Sequence, residues 1–159
     1  MLAFIKKHKF LICIFLLILI GSVLRFYNLN WGSPFYFHPD ERNIASSVTN
    51  MNFPTQMNPH FFAYGSFPIY LIYFTAYAIS LFQNSHSLFE QAIVISRFYS
   101  AILSLFLIPT IYFLGKRLAD KKVGLLAAAF CTFNTGFIQF SHFGTFEMWL
   151  TFLGVWLFY

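Results

Sequence analysis

The sequence predicts an all-α fold, namely a multi-pass bundle of transmembrane helices with one large loop on the outer side of the membrane. Only 9% of the 159 residues are charged, 58% are hydrophobic and the mean hydropathy is +0.66. An ordinary soluble domain carries about 25% charged residues, and disordered chains are polar and poor in aromatic residues. Both classes are therefore excluded. Apolar runs close to the length of about 20 residues that a spanning helix needs also recur along the chain.

The first apolar run covers 10–24 and follows Lys6, Lys7 and Lys9. A basic start before a short apolar stretch is also typical of a secretory signal peptide. No small-x-small cleavage site follows, since Arg25 and two aromatic residues come next. An uncleaved span is therefore favoured, and Lys9 and Arg25 are expected to reach the two membrane interfaces.

A polar stretch from residue 28 to about residue 60 follows, and two helices are expected within or just after it. The segment 41–51 has the composition of a short helix. The apolar run 67–82 is short, rich in tyrosine and entered through Pro68. Tyrosine favours the membrane–water interface, so this run is expected to lie at the membrane surface.

Three further apolar runs cover 93–114, 123–140 and 148–159. The run 93–114 holds Arg97 near its start and Pro109 in its interior. The last run has twelve residues, which is too few to cross a bilayer. We therefore expect the chain to be the N-terminal piece of a longer protein.

Basic residues predict the topology, because Lys and Arg favour the cytoplasmic side. The N-terminal lysines and the basic loop 116–122 are both placed inside, so the chain must cross an even number of times between them. One of the three intervening runs therefore does not span, and 67–82 is the weakest, so it is interpreted as a juxtamembrane or re-entrant helix. The prediction is a multi-pass protein of the cell membrane with a cytoplasmic N-terminus. Its spans are 10–24, 93–114, 123–140 and a truncated 148–159, and its outer loop is 25–92.

This topology places three of the five acidic residues, Asp40, Glu41 and Glu147, on one outer face. One interpretation of Asp40 and Glu41 is a general base for a hydroxyl acceptor, with the neighbouring acid binding or orienting a partner. The other is a helix N-terminus after Pro39, where the helix dipole favours acids. The two interpretations are compatible. Glu147, at the start of a span, is likewise either a functional acid or an acid favoured by the helix dipole.

Arg97 is the leading candidate for binding an anion. At the outer interface it either snorkels or meets a lipid phosphate or a carboxylate, both of which match the guanidinium fork. Arg42 and His60 are further candidates for phosphate binding. His142, beside a membrane turn, is expected to form interface hydrogen bonds or to bind a ligand.

A divalent metal is the one cofactor considered, with His142, Glu147 and Asp40 as ligands, although no local spacing motif supports it. Cys13 and Cys131 lie inside apolar runs and are interpreted as small hydrophobic residues. The chain has no P-loop, no G-x-G-x-x-G and no C-x-x-C, so nucleotide-driven and redox chemistry have no support. No basic helix or stripe is present, and no nucleic acid is expected as a partner.

The order of several motifs resembles the N-terminal third of the membrane glycosyltransferases with the GT-C fold. The nearest group is the bacterial form of the dolichyl-phosphate-mannose protein mannosyltransferases and aminoarabinose transferases. The resemblance covers almost the whole chain and rests on the joint order of the motifs rather than on any one of them. They are His38-Pro39-Asp40-Glu41, 58–71, 97–101, 112–118, 124–129 and 139–152.

The resemblance implies a transferase that moves a sugar from a polyprenyl-phosphate carrier to a lipid, glycan or protein acceptor on the outer face of the membrane, with inversion at the anomeric carbon. The surrounding membrane lipids are further partners. It assigns the catalytic base to Asp40, with Glu41 beside it, and carrier phosphate binding to Arg97. Glu147 stands where the family usually has Asp, which leaves its role as acceptor or metal site open. The 159 residues alone are expected to be inactive.

The resemblance also places a juxtamembrane helix at 67–82, where some relatives carry a phosphate-binding Lys before paired prolines. This chain has Ser66 and a single Pro68 there, so the contact is either missing or supplied by Arg42. The alternative function is a non-enzymatic membrane transporter or a lipid-carrier-binding segment. Transporters use broken helices near mid-membrane, and the hints of such breaks are Pro109 and the stretch 134–136.

Overall fold

The computed structural model describes residues 2–82 and 87–159, and over these residues the all-α prediction is confirmed. The described chain has seven α-helices and one isolated antiparallel bridge, between Asn52 and Gln56. Residues 83–86 of the predicted outer loop lie outside the described residues. The helices are α1 Leu2–Phe26, α2 Pro39–Thr49, α3 Ser66–Ser80, α4 Leu88–Leu118, α5 Lys121–Phe133, α6 Thr135–Ser141 and α7 Glu147–Leu157.

Two of these helices are long and apolar enough to cross a membrane. They are α1, over His8–Phe26, and α4, over its whole length. A third crossing is added if α5 and α6 together form one bent span. Helices α3 and α7 are apolar but shorter. Membrane association is thus indicated, while the multi-pass arrangement and the cytoplasmic N-terminus stay predictions.

The predicted span 123–140 is divided into α5 and α6 in the structure, which together pass as one bent span or a re-entrant loop. The chain bends by 54° between α5 and α6. Asn134 at the bend has an extended backbone (φ −64°, ψ 116°), and its side-chain oxygen accepts a 2.9 Å hydrogen bond from the Phe137 amide. Asn is a favoured N-cap because its side chain satisfies an amide that has no partner within the helix. Asn134 therefore starts a new helix inside an apolar run.

Arg25 packs against this break, and the expectation that it reaches the membrane interface is wrong. Its side chain has 0% exposure. The guanidinium donates to the carbonyl oxygens of Cys131 at 3.0 Å and Thr132 at 3.2 Å, and to Ser104 Oγ at 2.8 Å. The last carbonyls of a helix have no partners within that helix and form the negative end of its dipole. Arg25 supplies donors to these carbonyls from the end of α1.

Helix α4 is the central element and contacts all six other helices. It begins five residues before the predicted run, because the Ser87 side chain caps it by accepting a hydrogen bond from the Glu90 amide at 3.3 Å. Pro109 lies inside α4 without ending it. The helix extends four residues past the predicted run, to Leu118, and presents Arg97 to the segment between α1 and α2.

Helices α4 and α5 approach closely at two glycines. A Cβ atom built on Gly124 would lie 2.5 Å from the Tyr112 carbonyl oxygen and 2.8 Å from the Lys116 amide nitrogen. A Cβ atom on Gly115 would lie 2.9 Å from the Cα atom of Gly124. Small residues at helix crossings let backbones approach in this way. The α4–α5 hairpin therefore depends on the absence of side chains at this crossing.

The buried apolar residues form two clusters that lie on opposite parts of α4. One joins α2, α3 and the first turns of α4, and its members include Ile44, Val48, Ile69, Ile72 and Ile93. The other joins α1, α5, α7 and the later turns of α4, and its members include Ile14, Leu107, Ile108, Ala128 and Met148. The acidic residues singled out by the sequence lie in or beside the first turns of α2 and α7.

Candidate active site

Helix α2 begins at Pro39, with Asp40 and Glu41 in its first turn. Proline is favoured at the first helical position because it has no amide hydrogen to satisfy, and the helix dipole favours acids in the first turn. The helix-start interpretation of the acidic pair therefore holds in the structure. The two side chains nevertheless differ, since Glu41 has 0% exposure whereas Asp40 is only partly buried.

Glu41 forms a bidentate ion pair with Arg97 of α4. Nε of Arg97 lies 2.7 Å from Oε1, and Nη2 lies 2.7 Å from Oε2. The Gly144 amide donates to the same Oε1 at 2.6 Å. Both side chains are fully buried. Three donors thus hold Glu41, and its carboxylate joins α2, α4 and the turn before α7.

Arg97 is further held by the segment between α1 and α2. Its Nη1 donates to the carbonyl oxygens of Leu29 at 2.9 Å and Trp31 at 2.8 Å. Its Cζ lies 4.4 Å from the ring centroid of Trp31 and 5.5 Å from that of Tyr36. Of the partners expected for Arg97, the structure supplies the carboxylate. Its assignment to a carrier phosphate stays a prediction, and a phosphate would have to displace Glu41.

Tyr64 lies near both Asp40 and Glu147. Interaction with the Asp40 carboxylate raises the pKa of Tyr64, with smaller contributions from burial and from the charge of Glu147. The Tyr64 ring stacks on Phe146, with centroids 4.3 Å apart and an angle of 19° between the planes. Because Phe146 directly precedes Glu147, this stack brings the start of α7 close to Tyr64.

Glu147 is the first residue of α7 and carries a polar atom without a hydrogen bond. Its Oε2 is buried and has no hydrogen-bond partner within residues 2–82 and 87–159. Nδ1 of His38 is in the same condition, and the His38 ring lies 4.7 Å from the Phe143 ring. His38 directly precedes α2, and Glu147 directly follows the turn before α7. Buried polar atoms of this kind are uncommon in proteins and are often found at functional sites.

The remaining candidates lie outside this group. Nδ1 of His142 lies 2.8 Å from the Ile138 carbonyl oxygen, and its Nε2 lies 2.9 Å from that of Tyr27, so the ring joins α6 to the chain just after α1. His60 is exposed, with a backbone φ of 52°. Arg42 is also exposed, although it follows Asp40 by two positions on α2.

No group of three His, Cys, Asp or Glu residues with the geometry of a metal site is found among the described residues. The predicted ligands Asp40, Glu147 and His142 thus do not form a recognisable set there. Cys13 is exposed, Cys131 is buried, and both are free thiols.

Two residues of the site were not identified from the sequence as candidates. Gly144 supplies a backbone amide, and a backbone amide has no sequence signature. Tyr64 lies among several aromatic residues, and nothing in its local pattern separates it from them. The one available signal was its place in the run 58–71, which carries part of the family resemblance.

Comparison of the chain with protein-family models, curated proteins and solved structures gives no match. The resemblance to the GT-C glycosyltransferases therefore stays a prediction that rests on the motifs of this sequence.

Proposed function

We propose that this chain belongs to an integral membrane glycosyltransferase that moves a sugar from a polyprenyl-phosphate carrier to an acceptor on the outer face of the membrane. Asp40 acts as the general base in this proposal. The protein resides in the cell membrane as a multi-pass protein with a cytoplasmic N-terminus, and its partners are the lipid-linked donor, a lipid, glycan or protein acceptor and the membrane lipids.

The observation that carries the proposal is that two adjacent carboxylates, Asp40 and Glu41, differ in burial and in their partners. Glu41 is saturated by Arg97 and the Gly144 amide and is fully buried, so it is occupied in holding three elements together. Asp40 is partly exposed, and it lies close enough to Tyr64 to raise the pKa of that phenol. A general base has to be accessible to the proton that it removes. One acid of the pair is therefore suited to fixing the site and the other to reacting.

The chemistry needs only a few groups. The acceptor oxygen attacks the anomeric carbon, the bond from that carbon to the phosphate oxygen breaks, and its electron pair leaves with the lipid phosphate. The acceptor proton passes to the Asp40 carboxylate. Positioning of the two reactants contributes a large part of such a rate enhancement. Arg97 is already paired with Glu41. The cation proposed to meet the leaving phosphate is therefore Arg42, which is exposed and lies on α2 with Asp40.

An assay of the full-length protein in native membranes tests the proposal. Synthetic polyprenyl-phosphate sugars with a radioactive sugar serve as donors, and the measured quantity is the release of polyprenyl phosphate together with transfer of the label. Asp40→Asn should lower the rate by about 10²–10⁴-fold, the usual contribution of a general base. Asn has nearly the same shape as Asp, so the substitution removes the charge with little change in packing.

Asp120→Asn is the matched control, because Asp120 is an exposed N-cap at the start of α5 and lies outside the site. It should transfer sugar at the wild-type rate. Wild-type activity in Asp40→Asn would contradict the role of Asp40. Absence of transfer from every donor by the wild-type protein would contradict the transferase proposal itself.

One observation favours the alternative, a transporter. The bend of 54° between α5 and α6 resembles the discontinuous helices at which transporters bind ions. In this chain, however, Arg25 already occupies the carbonyls of Cys131 and Thr132 that a cation would need. Flux of a labelled polyprenyl-phosphate sugar across sealed proteoliposomes, in the absence of any acceptor, distinguishes the transporter from the transferase.

A further inference from the structure

An apolar groove runs along the second half of α4, where α7 packs beside it. Its volume is about 530 Å³. The walls include Ile102, Phe106, Pro109 and Phe113 of α4 and Phe152 and Trp156 of α7. Phe106 and Trp156 are more than half exposed. Thr110 also lines the groove, but its hydroxyl already donates to the Phe106 carbonyl oxygen at 2.8 Å. The groove therefore suits an apolar occupant.

The length of the groove fits one leaflet of a bilayer. Helix α4 is one of the two helices that could cross a membrane, and from Ile102 to Phe113 it rises by about 16 Å, at about 1.5 Å per residue. The hydrocarbon core of a bilayer is about 30 Å thick, so one leaflet supplies about 15 Å. One acyl chain lying along α4 thus matches the groove in both length and chemistry.

Four basic residues lie where the groove ends. They are Lys116 and Arg117 in the last turn of α4 and Lys121 and Lys122 in the first turn of α5, and all four are exposed. Positions 106, 110, 113 and 117 follow the spacing of one helix face, so Arg117 continues the face that lines the groove. Arg117 also donates to the carbonyl oxygen of Tyr159, another residue of the groove wall. Cations therefore stand at the level where a lipid in the groove would carry its headgroup.

The charge of the loop selects an anionic occupant. Asp120 is the one acid among residues 116–122, and its carboxylate accepts hydrogen bonds from the Lys122 and Val123 amides at 2.7 and 2.8 Å. The loop as a whole is positive. A second copy of the chain in the groove would bring another basic loop into the same leaflet, where like charges repel. An anionic headgroup is attracted there instead, and basic residues directly after a spanning helix are typical of such sites.

We infer that the groove and the basic residues 116–122 bind one anionic phospholipid of the bilayer, with an acyl chain between α4 and α7 and the phosphate beside Lys116 and Arg117. The site is separate from the candidate active site. Arg97 precedes Arg117 by 20 positions, which is about 30 Å along α4 and equals the thickness of the hydrocarbon core. The inference therefore does not depend on the proposed function or on which leaflet holds the loop.

Native mass spectrometry of the full-length protein tests the headgroup. Delipidated protein in detergent is titrated with dioleoyl phosphatidylglycerol or with dioleoyl phosphatidylcholine. We expect one phosphatidylglycerol to bind more tightly than phosphatidylcholine. The double variant Lys116→Gln/Arg117→Gln should weaken that binding by about 30-fold, the effect expected for two basic residues at a membrane surface.

Lys6→Gln/Lys7→Gln is the matched control, because it removes the same charge from the other basic cluster of the sequence. It should leave the tight binding unchanged. Equal affinity for the two lipids would overturn the inference. An equal loss in the two double variants would also overturn it, because the attraction would then be a general effect of charge.

Photocrosslinking tests the groove. A phosphatidylglycerol with a diazirine in its acyl chain is added to the full-length protein in nanodiscs, and labelled peptides are mapped by mass spectrometry. We expect labels in 102–113 and 152–156 that unlabelled phosphatidylglycerol suppresses and phosphatidylcholine does not. Thr110→Trp fills the groove and should remove these labels. Leu126→Trp, at an exposed position of α5 outside the groove, should keep them.

Labels confined to other segments of the wild type would overturn the inference, since a second copy or another part of a longer chain would then cover the groove. Labels that persist in Thr110→Trp would contradict the position of the acyl chain. Stronger suppression by polyprenyl phosphate than by phosphatidylglycerol would assign the groove to the lipid-linked donor and would also overturn the inference.

Discussion

The backbone amide of Gly144 donates a hydrogen bond of 2.6 Å to Oε1 of Glu41, although 103 residues separate the two in the sequence. The bond joins the turn before α7 to the first turn of α2. Because Arg97 holds the same carboxylate, the starts of two helices share one anchor on α4. Asp40 and Glu147 stand at those two helix starts, and Tyr64, which stacks on Phe146, lies near both carboxylates.

Gly144→Ala should loosen this anchor. An added Cβ atom would overlap Ser96 Oγ and lie 2.8 Å from Ser96 Cβ, so the turn has to move away from α4. Overpacking of this kind costs about 1–3 kcal/mol, and thermal unfolding in detergent measures it. Gly154→Ala is the matched control, because nothing lies within 4 Å of a Cβ atom built there. Equal stability of Gly144→Ala and the wild type would show that the turn does not pack as described.

Removal of either partner of the Glu41–Arg97 pair should be strongly destabilising. Each side chain has 0% exposure, and loss of one leaves the other charge buried without its partner. Such losses cost about 3–5 kcal/mol. Glu41→Gln, Arg97→Met and the double variant form a double-mutant cycle in denaturant unfolding. The double variant should lose less unfolding free energy than the two single variants lose together. Losses that simply add would argue against a direct interaction between the two side chains.

Arg97→Lys is a sharper test of geometry in the same cycle. Lysine keeps the positive charge but has no fork, so it cannot replace the two bonds to Glu41 and the bonds to the Leu29 and Trp31 carbonyls together. We expect Arg97→Lys to be destabilised nearly as much as Arg97→Met. Full retention of stability would mean that charge alone matters at this position.

Arg25→Met should destabilise the bend between α5 and α6. The substitution leaves the Cys131 and Thr132 carbonyls without the donors that now satisfy them. Each unsatisfied buried group costs about 1–3 kcal/mol. Hydrogen exchange of the α6 amides should increase, whereas Lys9→Met, on an exposed position of the same helix, should leave it unchanged. Unaltered hydrogen exchange in Arg25→Met would show that Arg25 does not stabilise the bend between α5 and α6.

The start of α5 should weaken at acid pH. The amides of Val123 and Lys122 donate to the Asp120 carboxylate, and these bonds lower its pKa below the ordinary value. A carboxyl whose pKa is lower in the folded than in the unfolded state stabilises the fold at any pH above its unfolded-state pKa. That contribution is lost as the pH falls through the folded-state pKa. Protection of the Lys122 and Val123 amides, corrected for intrinsic exchange, should therefore fall below about pH 4. Asp120→Asn should remove this pH dependence, and its persistence in that variant would exclude Asp120 as the cause.

Much of the helical pattern was predictable from local sequence. The apolar runs located α1, α3, α4 and α7, and the Pro-Asp-Glu order located the start of α2 two residues before the predicted segment. The stretch 134–136 was only a hint of the break at Asn134, because the apolar run continues on both sides of it and Arg25, which completes it, lies more than one hundred residues away. Hydropathy is an average over one segment, so it cannot detect a hydrogen-bond partner that lies elsewhere in the sequence.

The candidate site shows the same limit. The adjacency of Asp40 and Glu41 was visible in the sequence, but the assignment of one to burial and the other to partial exposure depends on Arg97 and Gly144. Those contacts span 56 and 103 residues. Arg97 was identified as a cation in need of an anion, with a carboxylate among the expected partners. That this carboxylate is Glu41 follows only from the packing of α2 against α4.

Arg25 ties the end of α1 to residues that lie far along the chain. Its acceptors on Cys131 and Thr132 come 106 and 107 residues later, and Ser104 comes 79 residues later. Within α1 alone the guanidinium has the Gly21 carbonyl, at 3.4 Å. An arginine without partners is costly within a bilayer. The end of α1 therefore gains its full set of hydrogen bonds only when α4 and α5 pack against it.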